Sequence, residues 1–335
     1  MVKRVLSWLF ILSFITGGVT AWWFWHDMQQ QLDSPIETGT SINYTIKPGM
    51  NLKLIGQDLV QQGILKHPYY FMLEGRLQGT DSQIKAGEYL LQPGTTQRQL
   101  LEQFEAGKVV QHSLALIEGW SYKEIMTAVS NNEVLIKTLA DTDSKTVMSA
   151  LSHPDVHPEG RFFPDTYHFP SGMTDVEFLQ RAYERMLEIL HDEWQQKAEG
   201  LPYKTADEAL IMASIIEKET AVASERAAIA GVFVRRLQKG MRLQTDPTVI
   251  YAMGENYNGN IRRKDLKTDS PYNTYVYAGL PPTPIALPGV EAIHAALHPE
   301  QGETLYFVAK GDGSHYFSKT LKEHNRAVAK YQLGK

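Results

Sequence analysis

Residues 205–220 read TADEALIMASIIEKET, and this stretch predicts a helix that ends in two glutamates. Thr205 followed three positions later by Glu208 fits a capping box, which predicts that a helix begins at this point. The next two turns are apolar except for Ser214, so that apolar side chains surround the helix axis. Because a helix that is apolar on all sides is typical of a protein core, we expect the helix at 205–219 to be buried.

Two glutamates, Glu217 and Glu219, lie at the end of this helix, and the helical repeat points them in nearly opposite directions. A carboxyl group that emerges from an apolar helix loses solvation, which raises its pKa. A carboxylic acid that stays protonated near neutral pH is what the general acid of glycosidic cleavage requires. The alternative is that both glutamates reach solvent or pair with Lys218, Arg235 or Arg236.

The surrounding sequence predicts an α+β fold. Three upstream segments share one pattern, in which an apolar strand end runs into a glycine turn and then into a short amphipathic helix. The helix caps predicted in these segments are Asn51, Thr96 and Ser121. Further helices are expected at 121–130, 175–199, 223–239 and 289–298, and strands at 304–309 and 315–317.

The N-terminal region predicts a membrane anchor. Residues 5–25 contain no charged side chain, and about 20 apolar residues of helix cross a bilayer core. Because Lys3 and Arg4 precede this run, residues 1–4 are expected in the cytoplasm and everything after Trp25 outside. The alternative is a signal peptide cleaved after Val19-Thr20-Ala21. Residues 26–41 are polar and without periodicity, which predicts a linker.

Composition excludes several classes of function. The chain has 335 residues and no cysteine, which rules out thiolate nucleophiles, disulfides and cysteine-ligated metal centres. The net charge is −5, and the densest basic run, Arg262-Arg263-Lys264, is too short to indicate a nucleic-acid partner. The sequence has no Walker motif, no G-x-G-x-x-G and no G-x-S-x-G, so nucleotide-dependent enzymes and serine hydrolases lack their usual markers.

One pair of histidines has the spacing of metal ligands. His294 and His298 are four residues apart on a predicted helix, as two zinc ligands would be. The pair lacks the glutamate that accompanies it in the H-E-x-x-H motif, and Pro299 follows directly. His298 near a helix C-terminus is more simply a favourable partner for the helix dipole, so we predict no metal site.

Several motifs together resemble the YceG-like family of endolytic murein transglycosylases. They run through nearly the whole chain in one order: Glu159-Gly160, Pro164-Asp165-Thr166-Tyr167, Ala213-Ser214-Ile215-Ile216-Glu217-Lys218-Glu219, Leu243-Gln244-Thr245-Asp246-Pro247-Thr248-Val249-Ile250-Tyr251, Ser270-Pro271-Tyr272-Asn273-Thr274-Tyr275, Gly279-Leu280-Pro281-Pro282-Thr283-Pro284-Ile285, Pro288-Gly289, Tyr306-Phe307-Val308, His315 and Glu323-His324-Asn325.

The resemblance implies a lyase that needs no cofactor. Such enzymes cleave the β-1,4 bond between N-acetylmuramic acid and N-acetylglucosamine without water and leave 1,6-anhydro ends. The family's catalytic acid and base matches the first glutamate of E-K-E, Glu217. With sugar strands as the substrate, the candidate substrate-binding residues are Ser214, Glu219, Gln244, Thr245, Asp246, Tyr251 and Asn273.

The resemblance also implies the organisation of the chain. Residues 42–110 are similar to LysM modules, which bind glycans that contain N-acetylglucosamine; the alternative is a small α+β lobe without affinity for glycans. Residues 111–335 would form the larger α+β catalytic domain. Residues 5–25 would anchor the enzyme in the inner membrane with its body in the periplasm, near penicillin-binding peptidoglycan synthases as partners. A non-catalytic scaffold that binds peptidoglycan is the alternative function, and a hydrolase that leaves reducing ends would differ only in its product.

Overall fold

The computed structural model describes residues 2–334, with side chains from Ser7 onward. The chain divides into two compact units. The first contains the chain up to His112 together with Phe169–Gly172, and the second contains Ser113–His168 with the chain from Met173 onward. The fold class is α+β, as predicted, and the strands in the described part of the chain form three two-stranded sheets.

The first unit is a small α+β body. Its elements are α1 (Val2–Leu32), β1 (Ile42–Ile46), α2 (Leu52–Gln61), α3 (Tyr69–Gln78), β2 (Gly87–Leu91) and α4 (Gln97–Ala106). β1 and β2 are antiparallel and place Tyr44 opposite Tyr89, and both rings are buried against Phe104. The predicted caps are confirmed, because Asn51 and Thr96 each accept a backbone N–H in the first turn of their helices.

α1 contains the predicted apolar segment. Ser7–Leu32 is long and apolar enough to cross a bilayer, and none of its most apolar part is buried in the protein. The side chains of Trp22, Trp23 and Trp25 are all more than half exposed, as an interfacial aromatic belt would be. The predicted cytoplasmic tail, residues 1–4, lies outside the residues whose side chains are described.

The prediction of a linker at 26–41 is wrong. α1 continues to Leu32, and the side chains of Met28, Leu32 and Ile36 are no more than 5% exposed. Polar contacts hold the same stretch, since the guanidinium of Arg98 on α4 donates to Asp33 Oδ1 at 3.1 Å and to Gln29 Oε1 at 2.6 Å. Apolar side chains here are too few to show a helical period, but each is buried in the first unit.

The second unit is mainly helical. Its elements are β3 (Gln111–Ala115), α5 (Tyr122–Asn131), α6 (Ser144–Ala150), β4 (Thr166–Pro170), α7 (Asp175–Gln195), α8 (Ala206–Glu219), α9 (Arg226–Gln238), α10 (Asp246–Met253), α11 (Val290–Leu297), β5 (Tyr306–Ala309), β6 (His315–Ser318) and α12 (Leu321–Tyr331). β3 pairs with β4 in a two-stranded sheet. The predicted helices and the two predicted strands, β5 and β6, are confirmed with ends displaced by a few residues, and the two strands pair antiparallel.

α8 is the central helix of the second unit. It packs against α7, α9, α10 and α11, and every residue from Ala209 to Ile216 is buried, as its apolar sequence predicts. Thr205 caps it by accepting the Glu208 N–H. The capping box differs from the expectation in one respect, because the Glu208 carboxylate accepts the N–H of Lys204 rather than that of Thr205.

Candidate active site

Glu217 lies in the last turn of α8, where the helix leaves the core, and its side chain is partly buried. The N–H of Gly289, the residue just before α11, donates a hydrogen bond of 3.0 Å to Glu217 Oε2. Burial raises the pKa of Glu217, and this hydrogen bond opposes the shift. The net direction is upward, so the carboxyl group keeps its proton to a higher pH than a free glutamate does.

A second carboxylate, that of Glu118, lies against the same glycine. A Cβ atom at position 289 would collide with the Glu118 carboxylate, although the backbone there is ordinary with φ −76°. A side chain at this position would therefore have to displace the carboxylate end of the exposed Glu118 side chain. After the larger effect of burial, the negative charge of Glu118 also raises the pKa of Glu217, while Arg226 and Lys218 lower it.

Three hydrogen bonds hold the loop that carries Glu118. The Gly119 N–H donates to the Leu287 carbonyl at 2.8 Å, and the Leu287 N–H donates to the Trp120 carbonyl at 2.7 Å. On the other side, Lys218 Nζ donates to the Gly119 carbonyl at 3.0 Å. The loop that carries Glu118 is thus joined both to the segment before Gly289 and to the helix that carries Glu217.

Glu219 faces a different environment, which confirms that the two glutamates point to opposite sides of α8. Its Oε2 accepts a hydrogen bond of 2.7 Å from Thr245 Oγ1, and burial raises its pKa to about 7. The ion pairs considered as an alternative do not form among the described residues. Arg235 and Arg236 donate to backbone carbonyls instead, at Glu300, Thr304, Leu305, Arg242 and Leu243.

Glu219, and not Glu217, lines a cavity of about 510 Å³. Two of the predicted substrate-binding residues, Gln244 and Asp246, line the same cavity and are exposed. Asp246 Oδ1 accepts the hydroxyl of Tyr275 at 2.6 Å, and Gln244 has an unusual backbone with φ 51°. The structure therefore groups these residues with Glu219, on the side of α8 that Glu217 does not face.

The other predicted substrate-binding residues have structural roles. Ser214 is fully buried, where it donates to the Ile211 carbonyl and accepts the Ile285 N–H. Asn273 is 1% exposed, and its amide bridges the backbone of its own loop. The hydroxyl of Thr245 is committed to Glu219. The polar groups of these buried side chains are satisfied inside the protein, so the structure gives no support to these three assignments, which stay predictions.

Tyr251, the last predicted contact, holds a third buried carboxyl. Its hydroxyl donates to Glu159 Oε2 at 3.0 Å, and the Tyr122 N–H donates to Oε1 of the same residue at 2.9 Å. Burial raises the pKa of Glu159 to about 7. Because Glu159 is only 4% exposed and both of its oxygens are occupied, it positions the loop before α5 and is closed to substrate.

Sequence reasoning missed two residues of this site, Glu118 and Gly289. Glu118 lies in a glycine turn that was treated only as the start of a helix, and Gly289 appears in the family motif Pro288-Gly289. Two sequence features could have drawn attention to these residues: Glu118 is an acidic residue directly before a glycine turn, and Gly289 is a glycine at the start of a helix. Neither feature reveals that the two segments meet.

Comparisons with known proteins find relatives along nearly the whole chain. The model of the family described as "YceG-like family" matches residues 44–330. The chain is similar to the endolytic murein transglycosylase of Bacillus subtilis strain 168, with 34% identity over 90% of this chain and 88% of the relative. It is also 28% identical to the protein of the same name from Streptococcus pneumoniae serotype 2, over 98% of this chain but 65% of that longer one.

A solved structure gives the same result at the level of the fold. The crystal structure of a yceG-like protein, lmo1499 from Listeria monocytogenes, superposes with a TM-score of 0.53 at 31% sequence identity. The match covers 86% of this chain and 99% of the listerial one. Sequence and fold therefore point to the same family.

Proposed function

This chain belongs to the YceG-like family, and we propose that it is an endolytic murein transglycosylase whose catalytic acid and base is Glu217. It is a lyase of peptidoglycan, which cleaves the glycan strand between N-acetylmuramic acid and N-acetylglucosamine. The observation that supports Glu217 most directly is its position, at the point where a buried helix ends and with Gly289 and Glu118 beside it.

The first step requires a proton donor. Burial and the charge of Glu118 both favour the protonated form of Glu217, so the acid is available to the leaving glycosidic oxygen. Oε2 is held by the Gly289 N–H, which leaves Oε1 as the oxygen that carries the proton. The proton moves from Oε1 to the leaving oxygen as the bond to C1 of the muramyl residue breaks.

The second step uses the same group as a base. Once Glu217 has lost its proton, the Gly289 N–H stabilises the carboxylate, which then accepts the proton of the muramyl C6 hydroxyl. The C6 oxygen closes onto C1 and forms the 1,6-anhydro ring. Because the nucleophile belongs to the substrate, no second catalytic carboxylate is needed, and its proximity to C1 gives a high effective concentration.

Glu118 favours one competing reaction. A retaining hydrolase uses two carboxyl groups about 5 Å apart, one as acid and one as nucleophile, and Glu118 is the carboxylate beside Glu217. The contacts of Glu118 argue for a supporting role, since it lies against the Gly289 backbone and raises the pKa of the acid. The products separate the two reactions, because a hydrolase leaves reducing ends.

The cavity beside Glu219 is proposed as a second region of glycan contact. Gln244 and Asp246 are exposed there, and polar side chains of this kind hydrogen-bond sugar hydroxyl and acetamido groups. An enzyme that cuts within a strand binds several sugars at once. We therefore assign these two residues to sugars distant from the bond that Glu217 cleaves.

The remaining assignments are proposals about where the enzyme works. We assign residues 42–110 to a LysM-like lobe that binds glycan, which the compact strand–helix–helix–strand unit β1–α2–α3–β2 supports. We assign α1 to a single span of the inner membrane with the N-terminus in the cytoplasm and the enzyme in the periplasm, where peptidoglycan synthases are the proposed partners. The apolar length of Ser7–Leu32 supports the span.

Mass spectrometry of peptidoglycan digested by the purified protein tests the proposed reaction. The expected products are muropeptides with 1,6-anhydro-muramyl ends, which appear without uptake of water. Reducing ends labelled from H₂¹⁸O would identify a hydrolase instead. Intact strands that nevertheless bind the protein would identify the non-catalytic scaffold.

A further inference from the structure

A cluster of three potential metal ligands lies where the end of α7 meets α11. Glu193 belongs to the last turn of α7, His294 to α11, and His298 directly follows α11. One ligand atom from each of these side chains lies within 4.8 Å of those of the other two. His294 Nδ1 is 2.9 Å from Glu193 Oε2, a contact between residues 101 positions apart.

The helix geometry explains how the two histidines come together. Residues four positions apart lie on the same face of a helix, and the two imidazole rings stack with their centroids 4.3 Å apart. His294 and His298 are the two histidines whose spacing in the sequence matches that of metal ligands, but the sequence showed no third ligand beside them. Glu193 provides that ligand from a different helix, which spacing within one helix cannot reveal.

The donor set suits a divalent transition metal. Two imidazole nitrogens and one carboxylate oxygen form the three-ligand set found around zinc in sites that keep a fourth position open. Zinc bonds of about 2.0–2.2 Å place tetrahedral ligand atoms about 3.3–3.5 Å apart, so the observed separations need only small side-chain rotations. An open pocket of about 620 Å³ adjoins the three side chains and leaves room for a water molecule as the fourth ligand.

The cluster is accessible to an ion from solution. The side chain of His294 is 59% exposed and that of Glu193 is 21% exposed. Neutral imidazole nitrogen is the form of histidine that binds metal. Neighbouring Glu291 is already paired with Arg226, so it does not compete for the ion.

We propose that Glu193, His294 and His298 bind one Zn²⁺ ion that joins the end of α7 to the end of α11. The ion would fix the end of α11 opposite to the one that follows Gly289. The site is separate from Glu217 and takes no part in the chemistry proposed for it. The competing explanation is that Glu193 and His294 form only a surface ion pair.

Calorimetric titration of the full chain with ZnCl₂ tests the proposal. The protein is kept in detergent, carries no histidine tag, is first treated with EDTA and dialysed, and is titrated at pH 7.5. We expect one Zn²⁺ per chain and weakening of the affinity by more than about tenfold in His294→Ala and in His298→Ala, because each removes a ligand. His191→Ala, which removes an exposed histidine of α7 outside the cluster, should bind as the wild type does.

Thermal unfolding provides a second measurement that does not depend on activity. Zn²⁺ should raise the Tm of the wild type and of His191→Ala, because an ion that binds only the folded state stabilises it. It should leave the Tm of the double variant His294→Ala/His298→Ala unchanged. The proposal is overturned if wild-type binding is absent or not saturable, or if the double variant binds Zn²⁺ equally well.

Discussion

The substitution Glu217→Gln tests the assignment of the catalytic acid. Glutamine keeps the size of the side chain, and its amide oxygen can still accept the Gly289 N–H that now holds Oε2. It cannot deliver a proton. General acid–base catalysis contributes about 10²–10⁴-fold, so the rate should fall by at least about 10², which corresponds to about 3 kcal/mol in the barrier.

The fold should survive this change. The substitution retains the hydrogen bond to Gly289 and removes the repulsion between Glu217 and Glu118, so the free energy of unfolding should change by no more than about 1 kcal/mol. Thermal unfolding followed by circular dichroism checks this directly. The assay itself is the release of anhydro-muropeptides from purified peptidoglycan sacculi, quantified by liquid chromatography and mass spectrometry.

Glu219→Gln is the matched control, since it lies on the same helix and also has a raised pKa. Its amide oxygen can still accept the Thr245 hydroxyl, so we expect the rate to fall by less than about tenfold. Asp246→Asn should have an effect between the two if Asp246 holds a sugar. If Glu217→Gln stays within about tenfold of the wild-type rate while Glu219→Gln is inactive, the acid is Glu219 and the cavity beside it is the catalytic site.

Three further predictions concern the second carboxylate, the lobe and the membrane topology. Glu118→Gln removes a charge that raises the pKa of Glu217, so the loss of activity at high pH should begin at a lower pH than in the wild type; an unchanged pH profile would contradict this role. A fragment of residues 27–112 should fold and bind peptidoglycan in a pull-down. The fragment 42–112 should be unstable by circular dichroism, because it lacks the buried side chains of Met28, Leu32 and Ile36, each of which contributes about 1.5–3 kcal/mol to stability. If 27–112 folds but does not bind, the lobe is a spacer. A phosphatase reporter that folds only outside the cytoplasm should be active when fused after Lys335, and an inactive fusion would reverse the topology.

Local sequence patterns correctly predicted the structural features that depend only on residues close together in the chain. The caps at Asn51, Thr96 and Ser121 and the complete burial of Ala209–Ile216 followed from the sequence. Capping and helical amphipathicity involve residues within about four positions of one another, so short windows reveal them. The same is true of the opposite directions of Glu217 and Glu219, which follow from the helical repeat alone.

The burial of side chains in residues 26–41 could not be predicted from local sequence patterns. Met28, Leu32 and Ile36 are separated by polar residues, and the segment lacks the apolar density that marks a helix packed in a core. Side chains from the rest of the first unit cover these three residues. Arg98 hydrogen-bonds Asp33 and Gln29, two polar side chains that the sequence suggested were solvated. Burial depends on surfaces from other parts of the chain.

The environment of Glu217 shows most clearly which features the sequence determines and which depend on the tertiary structure. The sequence alone determined that a carboxyl group leaves an apolar helix, and through its motifs it determined the family. Only the tertiary structure placed the Gly289 N–H on that carboxyl group and the Glu118 carboxylate beside it, and separated Gln244 and Asp246 onto the side of Glu219. Electrostatic effects on a pKa act through space over a few ångströms, and distances of that kind between distant parts of a chain exist only after folding.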